Sequence, residues 1–597
     1  MAPTAVSDPP PAPRPGPRPS RWESLRRRGH RHRRPLTVLA VVALLAQMAA
    51  AMVTAAVQQS PTIDEPVYVG AAVVYTRHHS LRPNPEHPPL GKLVIGAGLA
   101  FADPRLDPAA STAAQGALGR RLLYESGNDP QRVLLAARLP MIVLTLLFGL
   151  VVFAFAADLT GRAGGLAALA LYAFSPDVIA HGSLATLDVP AAGLLLTSAW
   201  LLWRARRRPV LYLPPAGAAV GAALATKMSA LAAVPVVAAL AVLSVRVYGR
   251  RRRSGAPGAG GGSGDHDRAG GEGEGEEPRS SRAVPARLLA AGGAAAVATL
   301  LVAVAVVWAS YLAVDPRLRW SAPPGTPAVD GLRELAADWL PFPRPYRDGM
   351  RLQWGFEDMT WGGFLFGHQY SGSRWYYLPA ALLVKTPLGT LALWAGGAAA
   401  MVAVRRLRPA APYVLVPAAV LLGAAMTGSR DLGVRYAIAV PLFLAVAAAG
   451  TTAVRRRGAG VAVAALAGLV AVSSLRAFPY YLPYSNEAFG GPSKTHLHLH
   501  DSNVDWGQDL GRLADRLRTR YRGERIWLVY KGGGVPSHYG IRARDPLGAA
   551  PERVRGLLVV SDSAAAKARG RLAALIRSSE PIDTVGHSIT IYRRGGG

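Results

Sequence analysis

Long apolar runs of about twenty residues, the length that a helix needs to cross a bilayer core, constrain the fold of this chain more than any other feature. The first run, LTVLAVVALLAQMAAAMVTAAV, occupies residues 36–57. Further runs of this kind follow it, and the predicted spans are 36–57, 131–157, 163–178, 188–206, 211–227, 229–248, 287–312, 378–404, 411–428, 434–453 and 457–477. The sequence therefore predicts an all-α polytopic membrane protein with about eleven transmembrane helices.

The arginines beside these runs predict their orientation. If the chain enters the membrane from the cytosol, the predicted inside loops carry RARRR (204–208), GRRRR (249–253), RRLR (405–408) and RRR (455–457). Cytosolic loops are enriched in arginine and lysine, so we expect a multi-pass plasma-membrane protein with a cytosolic N-terminus and an extracytoplasmic C-terminus. The same clusters account for the net charge of +30 without a nucleic-acid partner.

Two segments on the predicted cytosolic side have compositions that cannot bury a core. Residues 1–35 are rich in arginine and proline, and residues 249–286 are rich in glycine and charged side chains. We expect both to be disordered, the first as a basic arm and the second as a spacer.

Three segments are predicted on the opposite side. Residues 58–130 and 313–377 form large loops between spans, which we call the first and second outer loops. The second is rich in aromatic side chains that could stack on a sugar or form an interfacial belt. Residues 479–597 follow the last span and contain the strand-like runs RIWLVY, GLLVVS and SITIYR, alternating with helical segments. The sequence predicts a small extracytoplasmic α/β domain there.

Carboxylates at the outer ends of the spans are candidates for chemistry. Asp64 and Glu65 lie in PTIDEPV just after the first run, and Glu86 lies in the proline-stiffened stretch NPEHPPLGK. Asp188 lies at the outer end of the fourth span. The alternatives are a solvated helix end for the first pair and an N-cap for Asp188.

Cations at the same leaflet depart from the positive-inside pattern. Arg138 and Lys385 lie within spans, and Lys227 and Arg435 lie at outer ends. Each could simply snorkel to the interface. Together, opposite the carboxylates, they favour a shared site for an anion such as a lipid phosphate, because a cation in apolar surroundings is costly without a partner.

Two other motifs are weaker. THLHLHD (495–501) would place three histidines on one face of a strand as metal ligands, although a polar loop is the simpler interpretation. KGGGVPSHYG (531–540) lacks the lysine-serine arrangement of a P-loop. The chain has no cysteine, which excludes disulfides and thiolate metal sites.

The order of these motifs resembles the phospholipid carrier-dependent glycosyltransferases of the protein O-mannosyltransferase and aminoarabinose-transferase group (glycosyltransferase family 39). The segments that carry the resemblance are PTIDEPV, NPEHPPLGK, SPDVIAHGSLATLDVP, ALATKMSAL, WYYLPAALLVKTPL, VRYAIAVPLF, YSNEAFGGP and DSNVDWGQDL. They cover most of residues 36–510. The resemblance implies a C-type, multi-helix fold with its active site on the extracytoplasmic face.

The resemblance also implies roles for individual residues. Asp64 is similar to the family's catalytic acid, expected to act as the base that activates the acceptor. The resemblance gives Glu86 and Asp188 as further acids of the site and Arg138 as a ligand of the donor phosphate. The pattern of charges adds Glu65 as a catalytic carboxylate, Lys227, Lys385 and Arg435 as further phosphate ligands, and His87, Lys92 and Tyr436 as acceptor or other site residues.

The function implied is transfer of a mannose- or pentose-like sugar from a polyprenyl-phosphate donor to a hydroxyl acceptor, with inversion. The partners would be that donor, membrane lipid and a protein, glycan or lipid acceptor, as in cell-envelope or protein glycosylation. No cofactor is certain. The histidine that assists a metal in some members of the group has no match here, so the use of a divalent metal stays open.

A transporter or flippase of lipid-linked sugars is the main alternative. It would use the same cations, but it would need charged or broken helices near the midplane and paired repeats, whereas these spans are uninterrupted in their central parts and no repeat is evident. A membrane scaffold whose C-terminal domain binds cell-wall polymer is a third possibility.

Overall fold

The computed structural model describes residues 21–107, 114–254 and 280–595. Residues 1–43 and 44–597 are two separate units, and the described part of the first is helical. The helices up to the second outer loop are α1 (Arg21–Gln58), α2 (Glu65–Arg77), α3 (Leu90–Ala102), α4 (Gln115–Arg120), α5 (Pro130–Thr160), α6 (Arg162–Ala173), α7 (Pro176–Gly182), α8 (Asp188–Ala205), α9 (Pro209–Leu224), α10 (Val234–Ser254) and α11 (Ser280–Val314).

The second half of the chain contains further helices and all the strands of the described residues. They are α12 (Leu332–Trp339), α13 (Arg344–Asp358), β1 (Gly362–Leu365), β2 (His368–Ser371), α14 (Tyr377–Lys385), α15 (Leu388–Ala403), α16 (Ala411–Met426), α17 (Ala439–Ala448), α18 (Ala459–Arg476), α19 (Leu510–Arg520), β3 (Ile526–Val529), β4 (Ala543–Arg544), β5 (Gly556–Ser561), α20 (Asp562–Ala566), α21 (Gly570–Arg577), β6 (Glu580–Val585) and β7 (Ile589–Arg594).

The predicted membrane spans all fall on helices. Within the described residues, 6 helices are long and apolar enough to cross a membrane, or up to 8 if each of two bent pairs is one span. Three predicted spans do not meet that criterion: α9 and the segment Ala439–Ala453, which are short, and α8, which contains Asp188 and Arg204. The prediction of an all-α multi-pass membrane protein with a small C-terminal α/β region is confirmed.

Two predicted spans, 163–178 and 378–404, are interrupted toward one end, whereas the expectation was of spans uninterrupted in their central parts. α6 and α7 meet at an angle of 62°, and α14 and α15 meet at 118°. Pro176 begins α7 and Pro387 precedes α15. Proline has no N–H to donate to the preceding turn and disfavours helical geometry in the residue before it, so each helix ends there and a new one begins.

The predicted disordered segments are only partly described. α1 begins at Arg21, so residues 21–35 are helical, contrary to the predicted disordered arm. On the other side of the spacer, α10 extends to Ser254 and α11 begins at Ser280. The rest of the two segments, residues 1–20 and 255–279, lies outside the described residues.

Both outer loops are folded where they are described. The first contains α2, α3 and α4, and α2 and α3 pack against α5 in a buried apolar cluster that includes Val69, Ile95 and Leu134. The second contains α12, α13 and the antiparallel hairpin β1–β2. Of its aromatic residues, Trp354 and Trp361 line the main cavity, whereas Trp339 and Trp375 are exposed.

The C-terminal strands form a five-stranded mixed sheet with the order β4-β3-β5-β7-β6. β3 runs parallel to β4 and β5, and β7 runs antiparallel to β5 and β6. Alternate side chains of β5 point to opposite faces, so that Leu557 packs with Leu513 of α19 and Leu558 packs with Leu575 of α21. The three predicted strands are confirmed, and β4 and β6 are additional.

The α/β region is joined to the first outer loop by backbone contacts. The N–H of Ser60 donates to the carbonyl of Gln508 at 2.9 Å, and that of Ile63 to Trp506 at 3.0 Å. Gly533 packs so closely that a Cβ there would lie 2.7 Å from the carbonyl oxygen of Thr62. The glycine run after Lys531 therefore permits a close approach between this region and the start of α2.

The charged residues at the two ends of α8 indicate which end faces the cytosol and which faces the extracytoplasmic side. Asp188 is its first residue and lines the main cavity, whereas Arg206 and its neighbouring arginines follow its last turn. We expect the cavity on the extracytoplasmic side, since arginine-rich turns lie in the cytosol.

Single cysteines test this orientation, because the chain contains none. Arg207→Cys, between α8 and α9, is expected to react with a membrane-impermeant maleimide only after the membrane is opened. Ser537→Cys, in the C-terminal region, is expected to react in intact spheroplasts. Reaction of both positions from one side would contradict the orientation.

Candidate active site

A cavity of about 930 Å³ lies where the two outer loops, the C-terminal region and the ends of several membrane helices meet. Its polar and aromatic lining consists of the cations Lys227, Arg333, Arg430, Arg435, Lys531 and Lys567, the carboxylates Asp64, Glu86, Asp188, Glu357 and Asp501, and side chains that include Tyr68, His87, Trp354, Trp361, Tyr436 and Trp506. Small and branched apolar residues of α8, α16 and the start of α17 form another part of the wall. The cavity thus combines a charged end with an apolar wall.

Most of the predicted site residues line this cavity. Those that do are Asp64, Glu86, His87, Asp188, Lys227, Arg435 and Tyr436. Those that lie elsewhere are Glu65, Lys92, Arg138 and Lys385.

Asp64 is held by Arg435. An Oδ2 of Asp64 accepts a hydrogen bond from Nη1 of Arg435 at 2.5 Å, and 26% of the Asp64 side chain is exposed. The guanidinium carbon of Arg435 also lies 4.3 Å from the ring centroid of Trp506. Nε of Arg435 is buried and has no hydrogen-bond partner among the described residues. Nε of Arg435 therefore has unused donor capacity, and a ligand in the cavity could share or replace Asp64 as the partner of the guanidinium.

Asp188 and Lys227 form a second ion pair in the wall. Nζ of Lys227 donates to Oδ1 of Asp188, and the ammonium lies 5.5 Å from the ring centroid of Tyr436. Asp188 is the first residue of α8, and its side chain makes no capping hydrogen bond, so the N-cap interpretation was wrong. Its carboxylate instead neutralises the lysine that follows α9.

Glu86 is the cavity carboxylate without a cationic partner among the described residues. Its Oε1 accepts from the Gln115 amide at 2.8 Å, and its backbone carbonyl accepts from the Gln353 amide at 3.0 Å. These amides fix the loop that carries Glu86 while leaving its charge uncompensated. A carboxylate in this setting can accept a proton or a hydroxyl hydrogen bond from a bound molecule.

Lys92 stabilises the loop that carries Glu86 through hydrogen bonds to its backbone. Its Nζ donates to the backbone carbonyls of Asn84 and His87 at 2.7 and 2.6 Å, and the side chain is fully buried. Burial lowers the pKa of Lys92 to about 7 because the charged form is poorly solvated, although Glu86 opposes this. Lys92 is therefore a structural residue of the turn, contrary to its predicted place at the site.

Glu65 and Arg138 form a closed, fully buried pair. Nε and Nη2 of Arg138 donate to the two carboxylate oxygens of Glu65, both at 2.7 Å, and both side chains are 0% exposed. Burial opposes ionisation of Glu65, but the charge of Arg138 and its hydrogen bonds hold the pKa of Glu65 below its usual value.

The remaining N–H groups of Arg138 are also used. They donate to the backbone carbonyls of Ala56, Gln59 and Ser60. No donor of Arg138 is left for a phosphate, because a guanidinium has five N–H groups and all of them have protein acceptors. The predicted phosphate contact of Arg138 and the predicted catalytic role of Glu65 do not fit these positions.

Lys385 is likewise buried away from the cavity. Its Nζ donates to the carbonyls of Leu482 and Asn503 at 2.5 and 2.9 Å and lies 3.4 Å from Asp177. It joins the breaks between α6 and α7 and between α14 and α15 to the segment that precedes α19. Its predicted role as a phosphate ligand does not fit this environment.

Several lining residues were not among the predicted ones. Arg430 lies in the wall with Glu357, whose carboxylate accepts from Arg430 Nη2 at 2.5 Å. Lys531 donates to Asp501, and Lys567 follows α20. Arg430 lies four positions before the segment VRYAIAVPLF, at the same predicted outer end as Arg435, whereas nothing local marks Lys567.

The histidine-rich segment does not form the strand that the metal interpretation required. Residues Pro492–Leu497 form a 3₁₀ helix, and His500 is buried beside Phe364. Within the described residues, no three histidine, aspartate or glutamate side chains are grouped as ligands of a metal ion.

Comparisons with known proteins add a family match. Residues 131–256 match the family described as Dolichyl-phosphate-mannose-protein mannosyltransferase, which confirms the family resemblance over the segment that contains Arg138, Asp188 and Lys227. No curated protein matches this chain.

Two solved structures of ArnT from Cupriavidus metallidurans are similar to it. The one bound to undecaprenyl phosphate has 14% identity and a TM-score of 0.46, covering 94% of this chain and 98% of that chain. The apo structure also has 14% identity and a TM-score of 0.46, covering 92% and 97%.

Arg138→Ala is expected to destabilise the protein rather than to act on a ligand directly. Removing one partner of a buried ion pair leaves the other charge uncompensated, at a cost of about 3–5 kcal/mol. Thermal unfolding in detergent measures this, and Arg132→Ala, at an exposed position on the same helix, is the matched control. An Arg138→Ala protein with wild-type stability would contradict the structural role.

Proposed function

We propose that this chain, whose residues 131–256 belong to the dolichyl-phosphate-mannose-protein mannosyltransferase family, is a membrane glycosyltransferase that uses a polyprenyl-phosphate sugar. The sugar, mannose- or pentose-like, would pass to a hydroxyl acceptor on the extracytoplasmic face of a C-type fold. The observation that carries the proposal is a single cavity of about 930 Å³ in which carboxylates, cations and an apolar wall meet at the ends of membrane helices.

The apolar wall fits the lipid part of such a donor. It includes Ala191 and Leu195 of α8, Leu421 and Ala425 of α16, and Ala439 of α17. A polyprenyl chain lying there would enter from the bilayer, because these residues belong to membrane helices. Burial of the chain is favourable at about 25 cal/mol per Å² removed from water, whereas membrane lipid competes for the same surface.

The donor phosphate would bind Arg435 and Lys227. Arg435 has a donor without a partner at Nε, and both side chains are mostly buried, with 10% and 11% exposed. Charge-assisted hydrogen bonds to a phosphate in a partly desolvated site are stronger than those between neutral groups. The same cations would stabilise the polyprenyl phosphate as it leaves.

Binding of the phosphate also affects Asp64. In the free enzyme Arg435 neutralises Asp64, and a phosphate on Arg435 competes with Asp64 for the guanidinium. Asp64 would then be available to accept the proton of the acceptor hydroxyl. The acceptor oxygen forms a bond to the anomeric carbon, the bond from that carbon to the phosphate oxygen breaks, and the configuration inverts. General-base assistance of this kind contributes roughly 10²–10⁴-fold.

A carrier of lipid-linked sugars remains the second candidate, and the bent helix pairs favour it, since discontinuous helices often line transporter sites. Neither α6–α7 nor α14–α15 contributes to the cavity lining, however. A carrier would bind the donor without forming a glycosidic bond, so transfer assays separate the two candidates.

The first test removes the base and the phosphate ligand in turn. Asp64→Asn keeps the size of the side chain but removes the charge that competes for Arg435, so donor affinity is expected to equal or exceed that of the wild type, while single-turnover transfer falls about 10²-fold or more. Arg435→Gln is expected to weaken donor affinity by about 1.5–3 kcal/mol through loss of a charge-assisted contact.

Both effects are measured with undecaprenyl-phosphate mannose and undecaprenyl-phosphate pentoses, with cell-envelope fractions as acceptors. Asp515→Asn, an exposed carboxylate of α19, is the matched control. Wild-type transfer by Asp64→Asn would refute the role of the base, and donor binding without transfer by the wild type would favour the carrier.

The second test fills the apolar wall. Ala424→Trp places a large ring on the cavity side of α16, so it is expected to weaken binding of undecaprenyl phosphate more than binding of a short-chain prenyl phosphate. Val420→Trp, at an exposed position of the same helix that does not line the cavity, is the control. Equal affinities of the two variants for the long chain would contradict the assignment of this wall.

A further inference from the structure

The C-terminal region contributes a second group of charges to the cavity, separate from the cations of the membrane helices. Lys531, Lys567 and Asp501 line it from this side. Lys531 follows β3, and Lys567 follows α20, which begins directly after β5. β3 and β5 are parallel neighbours, so their carboxyl ends lie at one edge of the sheet, which is the edge where open α/β sheets bind ligands.

The positions of both lysines are fixed by their surroundings. The backbone N–H of Lys531 donates to Ser561 Oγ at 3.1 Å, which ties the loop after β3 to the end of β5. The carbonyl of Ala568, next to Lys567, accepts from Gln369 of β2 at 3.1 Å. The edge that carries the lysines is therefore attached to the hairpin of the second outer loop.

The charges of this group are not balanced. Lys531 is paired with Asp501, whereas the ammonium group of Lys567 makes neither an ion pair nor a hydrogen bond to any residue in the described part of the chain, although the charge of Asp501 also acts on it. Partial burial lowers the pKa of Lys567, and the charge of Lys531 acts in the same direction. Two ammonium groups against one carboxylate, in a partly desolvated position, favour binding of an anion, because the anion offsets the cost of holding the second charge there.

We infer that Lys531 and Lys567 form an anion subsite for the acceptor, so that the acceptor is a hydroxyl compound that also carries a negative charge. The inference rests on the proposed function for the identity of the acceptor. The two anion positions lie on different parts of the chain, since Arg435 and Lys227 hold the donor phosphate at the membrane helices. Both pairs of cations nevertheless line one cavity, which Asp501 and Trp506 also line.

The subsite also accounts for the glycines of KGGGVP. Gly533 packs against Thr62 and Pro66 at the start of α2, where a Cβ would lie 2.7 and 2.9 Å from their atoms. This contact brings the loop after Lys531 next to the segment that carries Asp64. An anionic group held by the lysines would thereby place a nearby hydroxyl of the same molecule toward the reacting carboxylate.

The experiment measures binding and needs no transfer reaction. The full-length protein in zwitterionic detergent is saturated with undecaprenyl phosphate to occupy the donor position. It is then titrated with glycerol phosphate, with glycerate and with glycerol, which separate a phosphate, a carboxylate and a neutral hydroxyl compound. We expect the wild type to bind at least one of the anions and not glycerol.

Variants then assign the binding. Lys567→Gln is expected to weaken binding of the anion about tenfold or more, as for loss of a charge-assisted contact, whereas Lys567→Arg retains it. Arg577→Gln, an exposed charge of α21 that does not line the cavity, is the matched control and is expected to bind like the wild type. Thermal midpoints of all variants are compared to verify folding.

Two results would overturn the subsite. One is that the loaded wild type binds neither anion, and the other is that a folded Lys567→Gln protein binds them as the wild type does. If undecaprenyl phosphate itself does not bind, the proposed function fails, and the titration is repeated without it. Loss of anion binding in Lys567→Gln but not in Lys227→Gln would then support the subsite. Loss of anion binding in Lys227→Gln, whether or not Lys567→Gln also loses it, would overturn the subsite.

Discussion

The buried pair of Glu65 and Arg138 is the interaction on which the rest of the site depends. Arg138 donates to the carbonyl of Ala56 in the last turn of α1 and to that of Gln59 just after it, and Glu65 accepts from the N–H groups of Thr62 and Ala185. One ion pair thus joins α1, α2, α5 and the turn before α8. A buried pair of this kind adds little net stability over apolar packing, but it is costly to break, so it fixes the geometry of the junction. Asp64, the residue before Glu65, is positioned by it.

Most carboxylates of the cavity are already paired with cations of the protein. Asp64 is matched with Arg435, Asp188 with Lys227, and Glu357 with Arg430. Paired charges are less costly to hold in a partly desolvated cavity than single ones. Under the proposed mechanism, a phosphate that enters would exchange partners within a site that is already charged. That exchange would link donor binding to release of Asp64 from Arg435.

The motifs near the predicted outer ends of the spans were sufficient to find much of the cavity lining. Asp64, Asp188, Lys227 and Arg435 were predicted because several carboxylates and cations gather at one leaflet, where an ionisable residue is a candidate for function. The same criterion also selected residues that are structural. Arg138, Lys385 and Glu65 are equally out of place in an apolar environment, and their partners are backbone carbonyls or side chains far along the chain. A sequence pattern identifies a costly charge, but it does not tell whether a ligand or the protein compensates that charge.

The sequence by itself determined the class of the protein, because apolar runs of bilayer length and arginine-rich turns follow from the composition of each segment alone. It likewise determined the strands β3, β5 and β7, whose alternation and branched residues are local. Only the tertiary structure decided that the C-terminal region closes the cavity with Lys531 and Lys567, since that depends on a contact between Gly533 and Thr62, far apart in the chain. It also decided which charges face the cavity. Local composition sets hydrophobic burial, whereas the pairing of a charge depends on the residue that the fold brings to it.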